Sequence, residues 1–319
     1  MNLAFAIVAL LFAATSPVAA QSNDPPVKVV LGTATPGGGF AAYGDALVAT
    51  VHEVDADLVV EARMTEGSAE NIPLLEAGML DIALVQGEPA NEILSGTVGR
   101  APSKLRVVAA MYATPGLFAV LSDSPIRTVE DLRGQPVALG TRGSGLTILG
   151  RRVLAALGLD PDRDVQPVYL DRAGDGPELV RTGRIAALWG GGSGWPGFST
   201  LAASPGGARF IAPTEEGIAR ILAANPTMRR LVVPAGTYRG QEAPIVSVGS
   251  WSLILSRPDL DEGVAFRLAR ALDRGRAAMS RRLPQAAEAT VANTVAAIPT
   301  AWLHPGAARY LARAGEGLH

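Results

Sequence analysis

Short apolar runs alternate along this chain with stretches in which apolar residues recur every three or four positions. Glycine-rich loops mark many of the changeovers. Residues 27–31 read as a buried strand and end in Gly32-Thr-Ala-Thr-Pro-Gly-Gly-Gly39. Phe40, Tyr43, Leu47 and Val51 then fall on one helical face. The pattern returns with a strand at 58–64, a loop containing Gly67, Ser68 and Asn71, and a short helix at 72–77. A strand at 81–85 leads into Gln86-Gly-Glu88-Pro89. Two further strands are predicted at 105–112 and 117–121, parted by Thr-Pro-Gly, and then a helix at 126–134 with Thr128 as its cap.

The fullest case is residues 137–158. Val137 and Leu139 end a strand, and Gly140-Thr-Arg-Gly-Ser-Gly-Leu-Thr147 follows. Gly143 and Gly145 permit a tight turn, and Ser144 is a natural N-cap. Leu146, Leu149, Val153 and Leu157 continue at helical spacing until Gly158. Such a loop leaves uncovered main-chain N–H groups at the positive end of a helix, which suits an anion. Strands at 165–170 and 185–189 flank a helix at 175–182, and a long strand (245–255) precedes a long helix (260–279). Strands alternating with helices predict a mainly parallel α/β sheet, with ligands beyond the carboxyl ends of the strands.

Composition narrows the chemistry. The 319 residues carry a net charge of −2, which gives no reason to expect nucleic acid as a partner. There is no cysteine, so disulfides, thiolate metal sites and a cysteine nucleophile are excluded. His52, His304 and His319 are scattered without metal-ligand spacing, and no metal or cofactor is expected. No G-x-S-x-G is present and no histidine adjoins a glycine loop, so the chain is not expected to be an enzyme. Residues 192–197 fit G-x-G-x-x-G formally, but Pro196 and the surrounding glycines do not predict a helix there, and a nucleotide site is not expected. Residues 1–20 hold an apolar run of signal-peptide length and end in Val18-Ala-Ala20, a small-residue cleavage site, so export through a cleaved signal is expected.

Several stretches together resemble one family, the TAXI-type solute-binding proteins of TRAP transporters. They are residues 32–44, 67–71, 83–88, 140–147, 234–241 (Pro-Ala-Gly-Thr-Tyr-Arg-Gly-Gln) and 303–310 (Leu-His-Pro-Gly-Ala-Ala-Arg-Tyr). The resemblance implies an α/β fold of the type II periplasmic binding protein kind, two α/β lobes with a ligand cleft between them. Lobe 1 would hold residues 25–115 and 242–319, and lobe 2 residues 116–241. It implies a monomeric periplasmic receptor that delivers a small carboxylate or amino acid, glutamate-like, to membrane permease subunits driven by an ion gradient. A periplasmic sensor subunit for a membrane signalling protein is the alternative.

The ligand-binding residues expected on these grounds lie on the glycine loops and strand ends. Ser144, Gly145, Leu146 and Thr147 would offer donors to a carboxylate, with Gly143 shaping the turn. Arg142 could pair bidentately with a second carboxylate. Gly37, Gly38 and Gly39 let the backbone approach closely. Tyr43 is favoured over Phe40 as a contact because of its hydroxyl. Gln86 and Glu88 could meet an ammonium or amide, and Tyr112 could stack on the ligand. Ser68 and Gly191 lie on two further loops, and Trp189 and Trp195 bracket the second of them.

Overall fold

The computed structural model describes residues 26–96 and 99–316; the expected leader at residues 1–20 lies outside the described residues. In chain order the elements are β1 (Val27–Gly32), α1 (Gly39–Val54), β2 (Leu58–Arg63), α2 (Ser68–Glu76), β3 (Ile82–Val85), α3 (Gly87–Ser95) and β4 (Arg106–Leu121). Then come β5 (Pro136–Gly140), α4 (Gly145–Ala156), β6 (Gln166–Tyr169), α5 (Gly176–Arg181), β7 (Ala187–Gly191), α6 (Pro196–Ala203) and β8 (Ala208–Ile211). The chain closes with α7 (Glu215–Ala224), β9 (Arg229–Val233), β10 (Ile245–Ser256), α8 (Glu262–Arg282), α9 (Val291–Ala297) and α10 (Pro305–Glu316). Among the described residues no helix is long and apolar enough to cross a membrane.

The strands run in the order β2-β1-β3-β10-β4-β7-β5-β6, with β9 on β10 and β8 on β4. Pairing is parallel where β1 meets β2 and β3, and where β5 meets β6 and β7. Every pairing of β4 or β10 with another named strand is antiparallel. The expected parallel sheet is thus present at each end, joined in the middle by two long antiparallel strands. One apolar core gathers residues 29–112 and 253–311. Two others lie within 117–248. The fold is that of the periplasmic binding proteins, with two α/β halves spanned by β4 and β10.

The middle of β4 differs from the expectation. The sequence predicts two strands broken at Thr-Pro-Gly, whereas residues 106–121 form one. The fixed φ of proline is compatible with extended backbone, and Pro115 still offers its carbonyl, which accepts from the Gly192 N–H at 3.2 Å. Opposite it on β10 stands Gly249. A Cβ there would lie 1.9 Å from the Thr114 carbonyl oxygen, so only glycine lets the two strands approach this closely. The helix expected at 126–134 is also reduced, to a 3-10 turn at Glu130–Leu132. Asp131 accepts from the Arg127 and Thr128 N–H groups at 2.8 and 2.9 Å, the reverse of the cap expected from Thr128.

Two further helix starts shape the cleft, one of which the sequence argued against. α6 begins at Pro196 with proline in its first turn, where the missing N–H costs nothing. A helix does follow Gly194, contrary to the expectation drawn from Pro196. α3 begins at Gly87 and presses on β10, where a Cβ on Gly87 would stand 2.2 Å from Ser250 Oγ. Glu88 is in consequence fully buried, and neither carboxylate oxygen has a hydrogen-bond partner. Burial raises its pKa above the ordinary value of 4.5; the neighbouring polar side chains of Ser250 and Gln86, just outside hydrogen-bond geometry, and the charge of Arg152 oppose this without cancelling it.

Gly249→Ala is expected to lower stability by at least ~2 kcal/mol, because the crossing strands cannot move apart independently. Urea denaturation measures it, and an unchanged midpoint would show that the strands adjust. The raised pKa of Glu88 means that the folded chain holds a proton which the unfolded chain has released. Its contribution is therefore full below the unfolded value and lost as pH rises through the folded one. Glu88→Gln should exceed wild type in stability at pH 7 and lose this part of the decline between pH 5 and 7. Equal slopes in the two proteins would show that Glu88 ionises freely.

Candidate functional site

The N-cap residues of five helices line one cavity: Gly38 of α1, Gly67 of α2, Gln86 of α3, Ser144 of α4 and Trp195 of α6. Each helix begins just after a strand or its loop, so all five point their positive ends inward. Ala34, Thr35, Gly39 and Phe40 complete the wall on one side. Thr141, Gly145, Leu146, Ala173 and Gly191 complete it on the other. Tyr112 and Thr114 of β4 form the floor. The enclosed space is about 40 Å³. At ~10–15 Å³ for each water, that is room for about three or four.

The main chain supplies most of the polarity. The first N–H groups of a helix have no partner within it. In α1 Gly38 has no side chain with which to cap them, so Gly39 and Phe40 present bare amides. In α4 the Ser144 hydroxyl accepts from Leu146 N at 3.2 Å and the Ser144 carbonyl accepts from Thr147 N at 3.1 Å. The Gly145 N–H is left without a partner inside the helix. A Cβ on Gly145 would come within 2.2 Å of Gln86 Cβ, and one on Gly39 within 2.9 Å of the Tyr112 hydroxyl. Both glycines are therefore required by close packing.

Two buried side chains add donors. Gln86 is 1% exposed, and its Oε1 accepts from Ser252 Oγ at 3.1 Å, which leaves Nε2 without a partner. Ser252 in turn pairs with Thr114 Oγ1 at 3.1 Å. Trp195 is 4% exposed; its indole N–H has no acceptor, and its Cδ1–Nε1 edge faces Gly39. Burial raises the Tyr112 phenol well above its usual value, so it stays protonated and able to donate.

The halves close over this space at three seams. Ala173 and Gly174 donate to Thr35 Oγ1 and the Pro36 carbonyl at 3.3 and 3.2 Å. Ala69 donates to the Gly143 carbonyl at 3.1 Å. Arg152 pairs with Glu92 at the third.

Of the residues expected from sequence, Gly38, Gly39, Gln86, Tyr112, Ser144, Gly145, Leu146 and Gly191 line the cavity. The others fall outside its lining. Arg142 is exposed and lies over the Tyr169 ring, 4.2 Å from its centroid, so its charge is turned from the cavity. Tyr43 is fully buried and packs on Tyr112 at 5.7 Å between ring centroids, one turn beyond the cavity end of α1. Phe40, in the first turn, takes the position expected of it. Glu88 lies under β10, as described. Thr147 spends its hydroxyl on the Leu139 and Thr141 carbonyls. Ser68 accepts from Gln86 N at 3.0 Å and holds the loop. Gly37 and Gly143 belong to the seams: Gly37, at φ +81°, abuts Gly174, and Gly143 abuts Glu66. Trp189 is core, tilted against Phe118 at 4.7 Å between ring centroids and donating to the Leu146 carbonyl at 2.7 Å. Thr35, Gly67, Thr114, Thr141 and Ala173 were not anticipated. Thr35, Gly67 and Thr141 sit on glycine loops the sequence marks, whereas Thr114 and Ala173 enter through the meeting of distant segments, for which the chain carries no local signal.

Solved structures with the same architecture include a protein from Bordetella bronchiseptica RB50, at TM-score 0.57 and 15% identity, covering 91% of this chain and 98% of that one. A periplasmic transporter matches at TM-score 0.54 and 15% identity over 93% and 96% of the two chains. The periplasmic binding protein BugD matches at TM-score 0.53 and 14% identity over 82% and 87%. These likenesses concern the fold. The model of the NMT1-like family matches residues 31–315, nearly the whole of the described chain, and on that match the protein belongs to the NMT1-like family.

Proposed function

We propose that the protein is a periplasmic solute receptor that holds a small carboxylate between its halves and presents it to a membrane permease. The observation that carries this reading is the meeting of five helix N-termini around one enclosed, uncharged space. Bare amides at helix starts satisfy a carboxylate without a paired cation. Residues 25–115 with 242–319 would move against residues 116–241, with β4 and β10 as the hinge, so that the seams open and shut around the solute. The motifs at 234–241 and 303–310 support a permease of the TAXI-type TRAP class and acids related to glutamate.

Mass spectrometry of solute released from the purified protein identifies the acid, and a thermal-shift series with that acid measures its hold through mass action. Gly39→Val, which fills the space against Tyr112 and Trp195, is expected to lower affinity at least about a hundredfold. Arg142→Ala is expected to keep affinity within about threefold. Strong loss in Arg142→Ala with little change in Gly39→Val would place the solute outside the cavity.

A further inference from the structure

The cavity is lined by donors and holds no charge. None of its sixteen lining residues is Asp, Glu, Lys, Arg or His. The carboxylates close behind the lining, Glu88 beyond Gln86 and Glu288, which accepts from Ala113 N at 2.8 Å, are both buried with pKa values raised by that burial, and the guanidinium of Arg142 rests on Tyr169 outside the space. An ammonium group brought into this space would give up its water and find no anion in return. An amino acid is therefore poorly matched to these walls, although its carboxylate alone would suit them.

The side-chain donors point the other way. Gln86 Nε2 and Trp195 Nε1 are both buried beyond nine-tenths, both lack partners, and both belong to residues of the lining. Ser252 and Thr114 fix the Gln86 amide by holding its Oε1, so that Nε2 remains for a ligand. An unmade hydrogen bond at a buried donor is unfavourable, and a second oxygen on the solute would remove that deficit. The volume restricts length as well: about 40 Å³ suits an acid of few atoms.

We infer that the solute is a small 2-hydroxy or 2-oxo monocarboxylic acid without an ammonium group, and that Gln86 and Trp195 select it through the oxygen beside the carboxylate. The inference rests on the receptor reading above but replaces its glutamate-like solute with a smaller acid that carries no ammonium group. The carboxylate takes the amides at the starts of α1 and α4. The adjacent hydroxyl or keto oxygen takes the two side-chain donors.

The test is calorimetric titration of the full chain with lactate, pyruvate and glycolate, beside alanine, glycine, glutamate and propionate. The 2-oxygenated acids should bind at least about a hundredfold more tightly than the amino acids of equal length. Trp195→Phe and Gln86→Met should each weaken the best 2-oxygenated acid about tenfold or more, and propionate less than about threefold. Should either variant fail to fold, the wild-type comparison decides alone. Alanine or glutamate binding as tightly as lactate or pyruvate would overturn the inference and leave the receptor reading standing. Binding by none of these acids would overturn both.

Discussion

Five helices can begin at one place only if the strands that feed them aim their carboxyl ends at it. That constraint governs the whole architecture. β1 and β3 run parallel in one half and deliver the chain to α1 and α3. β5 and β7 run parallel in the other and deliver it to α4 and α6. β4 and β10 hold the two sets face to face by antiparallel pairing, so the carboxyl ends converge. The convergence of helix starts is thus a consequence of strand direction more than of any single side chain, and its positive potential is spread over main-chain dipoles.

The same two strands carry the polar floor. Thr114 comes from β4 and Ser252 from β10, and their hydrogen bond continues to Gln86 at the start of α3. A solute that engages Gln86 is therefore one bond removed from the strands about which the halves would turn. Gly249 allows this by letting β10 approach the Thr114 carbonyl. Cleft, donor and crossing strands are connected through groups that are all buried, where hydrogen bonds are least interrupted by water.

The glycine loops were legible because their signal is local. A strand, a Gly-Ser-Gly turn and a cap at Ser144 lie within ten residues, and the cap is made as the sequence implies. The family motifs extended that reading to the fold. What could not be read was side-chain direction at the mouth of a cleft. Arg142 sits beside the loop in sequence but finds Tyr169, 27 positions on, as a flat surface for its guanidinium. Phe40 and Tyr43 share a helical face, yet only the first turn of α1 reaches the cavity, so the hydroxyl that seemed useful is in the core. The start of α6 was misjudged because glycines and a proline look like a loop until proline is placed in the first helical turn. Trp195, its cap, consequently emerged as a donor only with the fold in hand.

The central claim is that main-chain amides at helix starts grip the solute. Amide NMR of deuterated protein, with the Gly39, Phe40 and Gly145 N–H resonances assigned, reads this directly. On saturation with a small carboxylate whose binding calorimetry has established, those three amide protons should shift strongly downfield as they enter charge-assisted hydrogen bonds. If they stay in place while the acid binds, the solute is held by other groups and the account is contradicted.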